Sequence, residues 1–473
     1  MMRSSFLVIV LFAAAICFSH LHQGHVAADA IRYAYIADTI VETNDWFTLK
    51  DSFANVDSYF NKPHLLFWVL AAHLKMFGYS TFVAKLPAAL FVFASLLMLA
   101  QVAGLLFGER AALLSVALFV STRTFMRDVL DLNVEGIAVF GTLLLLYGVL
   151  KILRNPEAKL FRYSLLAGLG LLLLFQSKTP FILLSAFPIA VLGMLQPKVR
   201  RLALRRDLWL GLLPPLLVIV VWLLILDQSY VAGAIDNQWV NPIRENSDFF
   251  GNLQTWMKAI FVSWAPLVYF GMFGLYKRVR QLRTSGWKSI RLEELLLGIW
   301  TLPIVPIVFA VECRPRYILV PMLAVTLFAG EAAAGALRRI PLRQLQGAAL
   351  TAGALCIILF SALDIPIHRT NRLVAAASEH LRSANATAPF FLCVDGDRPH
   401  RSPREARFTE LLLDLEVGTR HPVFYSEILP SEATLRGSRI LAEALCRSHL
   451  EARGIRFSVE QEYGERVQLL ITL

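Results

Sequence analysis

Charge is what this chain has least of. Only 17% of its 473 residues are Asp, Glu, Lys or Arg, against 56% hydrophobic ones, and the mean hydropathy is +0.57. That leaves too little polar side chain to coat an ordinary soluble globule, so the composition demands a membrane. Cysteine is scarce as well, with five in all. Cys17, Cys313 and Cys356 fall in or beside apolar runs and read as packing residues. Cys393 and Cys446 lie beyond the last apolar run at no motif spacing, where an oxidising compartment would permit them to pair. Internal repeats and low-complexity tracts are missing. The net charge of +11 has no aromatic-interleaved basic surface beside it, so a nucleic-acid partner is not expected.

What the chain has is apolar length. Runs near 5–20, 83–107, 110–125, 135–152, 164–176, 179–196, 208–227, 257–276, 294–311, 317–337 and 346–363 approach the ~20 residues that cross a bilayer, giving about eleven crossings. Four basic clusters orient them: Lys151/Arg154/Lys159/Arg162, Lys198/Arg200/Arg201/Arg205/Arg206, Lys277/Arg278/Arg280/Arg283/Lys288/Arg291 and Arg338/Arg339/Arg343. Lys and Arg collect in short cytoplasmic loops, and with the N-terminus inside all four clusters fall there. Residues 20–82, 126–134, 228–256 and everything after Leu363 then lie outside. The run Phe6 to Phe18 reads as an uncleaved anchor rather than a removed signal. The segment 63–78, with His64, His73 and Lys75, is too polar for a span and suits the membrane interface.

After Leu363 the continuous apolar character ends. Phe390 to Val394 and Val467 to Ile471 read as strands, and Ser402 to Glu416 and Ser438 to Arg453 as amphipathic helices. The fold class expected is therefore an all-α polytopic membrane protein with a small C-terminal extracytoplasmic α/β domain. Residues 1–363 would form the membrane part, with a first outer loop at 20–82, and 364–473 the soluble one.

Several ionisable residues sit where a membrane chain needs a reason for them. Asp29 and Arg32 are three apart, on one face of a short helix, and Asp29 also reads as that helix's N-cap. Lys62 precedes Pro63 and an aromatic-rich apolar run, where an interfacial anchor would also serve. The stretch Arg123 to Glu135 carries Asp128 and Asp131 at a membrane boundary, and Arg127 could pair locally with Asp131. Lys178 stands between two apolar runs in Gln176-Ser177-Lys178-Thr179-Pro180, where it could also be a helix-end snorkel. Arg314-Pro315-Arg316-Tyr317 opens another run, and Arg314 could pair with Glu312.

Together, Ala28-Asp29-Ala30-Ile31-Arg32 and Tyr59-Phe60-Asn61-Lys62-Pro63-His64 resemble the first outer loop of GT-C glycosyltransferases of the aminoarabinose transferase and protein mannosyltransferase type. Lys178 with Pro180, and Arg316-Tyr317-Ile318-Leu319-Val320-Pro321, resemble later motifs of the same family. The resemblance implies an inverting transferase that moves a sugar from a polyprenyl-phosphate donor to a lipid, glycan or protein acceptor, lipid A modification included. It implies a bacterial inner-membrane location with the site and the C-terminal domain facing the periplasm. By that resemblance Asp29 is the catalytic base, Asp131 (or Asp128) the second site carboxylate, and Arg32, Lys62, Lys178, Arg316 and Tyr317 the residues that hold phosphate. The family pattern is not complete: Ala30 follows Asp29, Thr179 stands where Gly is usual, and Asn61 replaces the Glu of metal-holding relatives. No cofactor is therefore assigned, and a divalent metal is disfavoured; His22 and His25 lack further ligands. The competing reading is a transporter or flippase of a lipid-linked anion, although the matched repeats common in transporters are missing. A third is a scaffold that recruits partners through its tail.

Overall fold

The computed structural model describes residues 3–22, 28–50, 59, 62–155, 159–225, 240, 249–286, 289–311, 313–362, 390–394, 423–425, 439–452, 454–462 and 467–472. They divide into two compact units. The first comprises Met1–Ser19, Phe60–Leu66 and Ala88–Leu363; the second comprises His20–Tyr59, Phe67–Pro87 and Asp364–Leu473.

In chain order the helices are α1 (Arg3–Phe18), α2 (Ala28–Thr43), α3 (Leu65–Phe77), α4 (Thr81–Phe107), α5 (Glu109–Val120), α6 (Glu135–Arg154), α7 (Leu160–Phe175), α8 (Thr179–Leu195), α9 (Pro197–Leu202) and α10 (Arg206–Ile225). After them come α11 (Phe249–Ser263), α12 (Leu267–Ser285), α13 (Leu292–Thr301), α14 (Ile304–Ala310), α15 (Leu319–Ala336) and α16 (Leu342–Ile357). Among the described residues six helical stretches are long and apolar enough to cross a membrane: Thr81–Phe107, Glu135–Arg154, Arg206–Ile225, Leu292–Phe309, Pro315–Ala336 and Leu342–Ser361. Four shorter apolar helices, Ser4–Phe18, Leu65–Phe77, Leu160–Phe175 and Thr179–Leu195, accompany them. At 1.5 Å per residue a helix of 13–17 residues reaches only about 20–25 Å, short of a ~30 Å hydrocarbon core. The full set of eleven is thus not carried by length and composition.

The run expected as one span at 257–276 is two helices, α11 and α12, bent by 100° at the break between them. Pro266 sits in that break; it donates no N–H and pushes the preceding residue out of the helical region. With this pair counted as a single span, the crossings number up to 7.

Within the first unit, α6 and the stretch Pro315–Ala336 are central, with 72% and 83% of their apolar windows buried, whereas Arg206–Ile225 and Leu342–Ser361, at 17% and 11%, are peripheral. Leu213, Leu217 and Leu224 of α10 stay exposed, which suits a lipid-facing surface. Without a hydrophobic drive between helices in lipid, close packing decides the contacts, and small residues permit it. A Cβ on Gly170 of α7 would lie 2.5 Å from the backbone nitrogen of Leu145 in α6; one on Gly330 of α15 would lie 1.9 Å from Ser115 Oγ in α5. Glycine is required at both contacts.

One end of this bundle is tied by ion pairs. Arg154 Nε of α6 meets Glu293 Oε1 of α13 at 2.9 Å, and Arg278 of α12 bridges Glu294 at 2.9 Å and Glu331 of α15 at 3.0 Å. Arg110 Nη1 donates to the carbonyl of Leu337, just past α15, at 2.8 Å. Residues of two predicted basic clusters, Arg154 of one and Arg278 and Arg291 of another, therefore gather at one end of the unit, as a shared side of the membrane requires.

In the second unit, α2 packs on α3 through Tyr33 and Phe67, edge to face at 5.5 Å, and Tyr59 meets the same Phe67 at 5.7 Å. Tyr79 donates to the buried Asp38 of α2. The described strands of this unit, β1 (Phe390–Val394), β2 (Val423–Tyr425), β3 (Arg439–Glu443), β4 (Phe457–Glu462) and β5 (Val467–Thr472), form one mixed sheet of order β2-β1-β3-β5-β4. The β2, β1 and β3 strands are parallel; β5 and β4 run antiparallel. Both predicted strands are present. The helix expected over Ser438 to Arg453 is instead β3 followed by α17 (Ala444–Ala452): Arg439–Glu443 is a central strand between β1 and β5, and so short an apolar run does not reveal its period. The helix expected over Ser402 to Glu416 lies outside the described residues, as do the side chains of Cys393 and Cys446.

Candidate functional site

At the end of the first unit opposite the Arg154–Glu293 pair, three breaks in helical structure converge. The first is the connection from α5 to α6. Thr122 Oγ1 accepts from the backbone N–H of Phe125 at 3.1 Å, a short π-turn runs Phe125–Val129, and Phe125 is buried against Phe119 with ring centroids 5.3 Å apart. The chain then passes Asp131 and Asn133, 3% and 6% exposed, each accepting from the next backbone N–H at 2.8 and 2.9 Å. It enters α6 at Glu135, which is fully buried and, in the first helical turn, favoured by the positive end of the helix dipole.

The second break separates α7 from α8. Gln176 and Ser177 turn the chain, Lys178 is extended, and Thr179-Pro180 restarts the helix with proline where its missing N–H costs nothing. Lys178 is thereby directed inward. Its Nζ donates to Glu135 Oε1 and lies 5.3 Å from the ring centroid of Phe181 and 5.6 Å from that of Tyr317. A lysine only 6% exposed needs such partners, since an unpaired buried ammonium is strongly disfavoured.

The third break precedes α15. Arg314 is extended, Tyr317 N–H donates to its carbonyl at 2.8 Å, and the single turn Pro315–Ile318 points Arg316 toward Glu135, Nε to Oε1 3.9 Å. Helix α11 braces this entry: Asn252 Nδ2 and Trp256 Nε1 both donate to the carbonyl of Val311, each at 2.9 Å.

Lys62 completes the set. It is half-buried beside Pro63 and His64, and the His64 ring stands edge-on to Trp222 at 5.0 Å. Lys178, Arg316 and Lys62 all act electrostatically on Glu135. Asp128 belongs to the same field. Burial first, and then the Glu135 charge, push its carboxyl up to about 6, against the pull of Arg316, Arg127 and Lys178. Arg127 Nε faces the adjacent Asp128 at 4.0 Å.

Of the predicted residues, Lys62, Lys178, Arg316 and Tyr317 thus come together, with Asp128 in their field and Asp131 on the same connection. Asp29 and Arg32 belong to the second unit, on α2. There Asp29 lies inside the first turn rather than before it, and the Arg32 guanidinium stands 4.8 Å from the ring centroid of Tyr59. The residue that sequence reasoning passed over is Glu135. Its signal was a carboxylate at the first position of a twenty-residue apolar helix. Among the described residues no group of three or more His, Cys, Asp or Glu side chains could hold a metal.

The model of the dolichyl-phosphate-mannose-protein mannosyltransferase family matches residues 61–225, the stretch that contains Lys62, Asp128, Asp131, Glu135 and Lys178. The chain superposes on the crystal structure of ArnT from Cupriavidus metallidurans bound to undecaprenyl phosphate with a TM-score of 0.63 and 14% identity, over 98% of this chain and 96% of that one. Its fold is that of the GT-C glycosyltransferases. The apo ArnT structure agrees, at a TM-score of 0.62, 15% identity and the same 98% and 96% coverage. The archaeal oligosaccharyltransferase AglB from Archaeoglobus fulgidus, in complex with an inhibitory peptide and a dolichol-phosphate, matches at 0.52 and 13% identity over 93% of this chain and 69% of that one. A comparison with curated proteins finds no match. In this chain of GT-C-like fold, Lys178 and Arg316 stand against Glu135, a carboxylate outside the motifs that carry the resemblance.

Proposed function

We propose that the protein is an integral membrane glycosyltransferase that moves a sugar from a polyprenyl-phosphate donor to a lipid, glycan or protein acceptor on the extracytoplasmic side. The observation that carries this reading is the gathering of Lys178 and Arg316 on Glu135 at one end of a bundle of GT-C fold, with Lys62 in the same electrostatic field, a set of cations suited to a phosphate. ArnT binds undecaprenyl phosphate and AglB a dolichol-phosphate in the matching structures, which supports a polyprenyl phosphate as the ligand. Ser4–Phe18, Glu109–Val120, Leu160–Phe175 and Thr179–Leu195 would then cross a bilayer thinned around them, restoring about eleven crossings.

In the reaction, the acceptor hydroxyl oxygen attacks the anomeric carbon as the bond from that carbon to the phosphate oxygen breaks. The electron pair departs with the phosphate and the configuration inverts. Asp29 takes the hydroxyl proton, Arg32, Lys62, Lys178 and Arg316 stabilise the charge growing on the phosphate, Tyr317 holds Lys178 through its ring face, and Asp131 supports the site. The roles of Asp29 and Arg32 rest on the motif resemblance. Residues 364–473 select the acceptor.

The test is mass spectrometry of the polyprenyl-phosphate pool and of cellular glycans in cells carrying the wild type or Asp29→Asn at equal expression. Loss of a base costs on the order of a hundred- to ten-thousand-fold in rate. A polyprenyl-phosphate sugar should accumulate while one glycan mass disappears. Unchanged pools overturn the transferase reading or the choice of Asp29 as its base, and carrier flux that survives the substitution supports translocation instead.

A further inference from the structure

The proposed reaction leaves a problem of charge. The donor is a phosphodiester with one negative charge, but the product polyprenyl phosphate is a monoester with nearly two at neutral pH. The cations that stabilise the departing phosphate also hold the product. Glu135 is placed to solve this. It is 0% exposed, one oxygen, Oε1, serves both Lys178 Nζ and Arg316 Nε, and the other, Oε2, is buried with no hydrogen-bond partner among the described residues. A carboxylate committed through one oxygen and left unsatisfied at the other is a poor structural element, because a buried unpaired acceptor is costly. Its position makes sense as a counter-ion shared by the two cations in the empty site, with one oxygen facing both.

We infer that Glu135 is a positioning residue for product release: it holds Lys178 and Arg316 while the site is empty, yields them to the phosphate during transfer, and takes them back to expel the polyprenyl phosphate. This rests on the proposed function, and it sets Glu135 apart from Asp29 and Asp131, since its role lies after bond breaking. Phosphate and Glu135 compete for the same two cations, so removing the carboxylate must tighten the complex with the anion.

The experiment uses the full chain in detergent, with a short-chain polyprenyl phosphate as probe and turnover on the donor identified above. Glu135→Gln should bind the probe about tenfold more tightly than wild type, lower KM, and lower kcat with release rate-limiting; a merely structural loss would weaken binding and leave no such split. Glu135→Asp keeps the charge and the pairing, is the variant expected to fold like wild type, and should restore release. The inference falls if folded Glu135→Gln binds the probe equally or more weakly. It falls also if Glu135→Asp tightens binding as much as a neutral side chain is expected to, a result that stands even where Glu135→Gln fails to accumulate. A wild type that binds no polyprenyl phosphate overturns the proposed function together with the inference.

Discussion

Glu135 and Lys178, forty-three residues apart in sequence, form an ion pair whose side chains are 0% and 8% exposed. Breaking it from one side should be costly, because the partner is left charged and buried. Lys178→Met should destabilise the protein by about 3–5 kcal/mol, whereas the double change Lys178→Met with Glu135→Met should recover most of the loss. Thermal melting of the single and double variants in detergent gives the coupling energy. Additive losses would show that the pair is not a unit.

Asp128 gives a pH signature. Its folded carboxyl is raised to about 6, above the unfolded value near 3.9, so the folded state binds the proton more tightly than the unfolded one. Stability from this group is fully present below about pH 4 and is lost as pH rises through about 6. Asp128→Asn, which mimics the protonated form, should match wild type near pH 4 and exceed it at pH 7.5 by at most about 3 kcal/mol, two pKa units at 1.36 each. Melting curves of both proteins across that range check it; a difference independent of pH would contradict the assignment.

Gly170 tests the packing of α6 on α7. A methyl there would sit 2.5 Å from Leu145 N, a backbone atom that cannot swing aside. Gly170→Ala should cost about 1–3 kcal/mol through helix displacement. The equivalent change at Gly347, inside α16 with open space around it, should instead raise stability by up to about 1 kcal/mol in the same melting assay.

Arg316 offers a planar fork that a lysine cannot reproduce. On the proposed function, Arg316→Lys keeps the charge but loses paired hydrogen bonds to phosphate oxygens, and KM for the donor should rise about tenfold or more. Steady-state kinetics on the donor read this directly, and an unchanged KM would remove Arg316 from the phosphate contacts.

Much of this was legible in sequence for stated physical reasons. Lys62, Lys178 and Arg316 stand beside prolines at the edges of apolar runs, where a cation is conspicuous because the surroundings disfavour it. The limits of α4, α6 and α15 followed from apolar length alone, since a bilayer imposes it. Arg439–Glu443 was misread because a five-residue apolar strand and a helix start look alike until a neighbouring strand supplies the hydrogen bonds.

By itself, then, the sequence determined that the chain lies in a membrane, where its basic ends gather and which cations need an explanation, because hydropathy and charge are local properties that lipid reads residue by residue. Only the tertiary structure decided what answers those cations. Glu135 is an ordinary first-turn acid on α6 until the break before α8 and the turn before α15 bring Lys178 and Arg316 to its oxygen. Coulomb attraction acts through space and not along the chain, so that relationship had no sequence spacing to betray it.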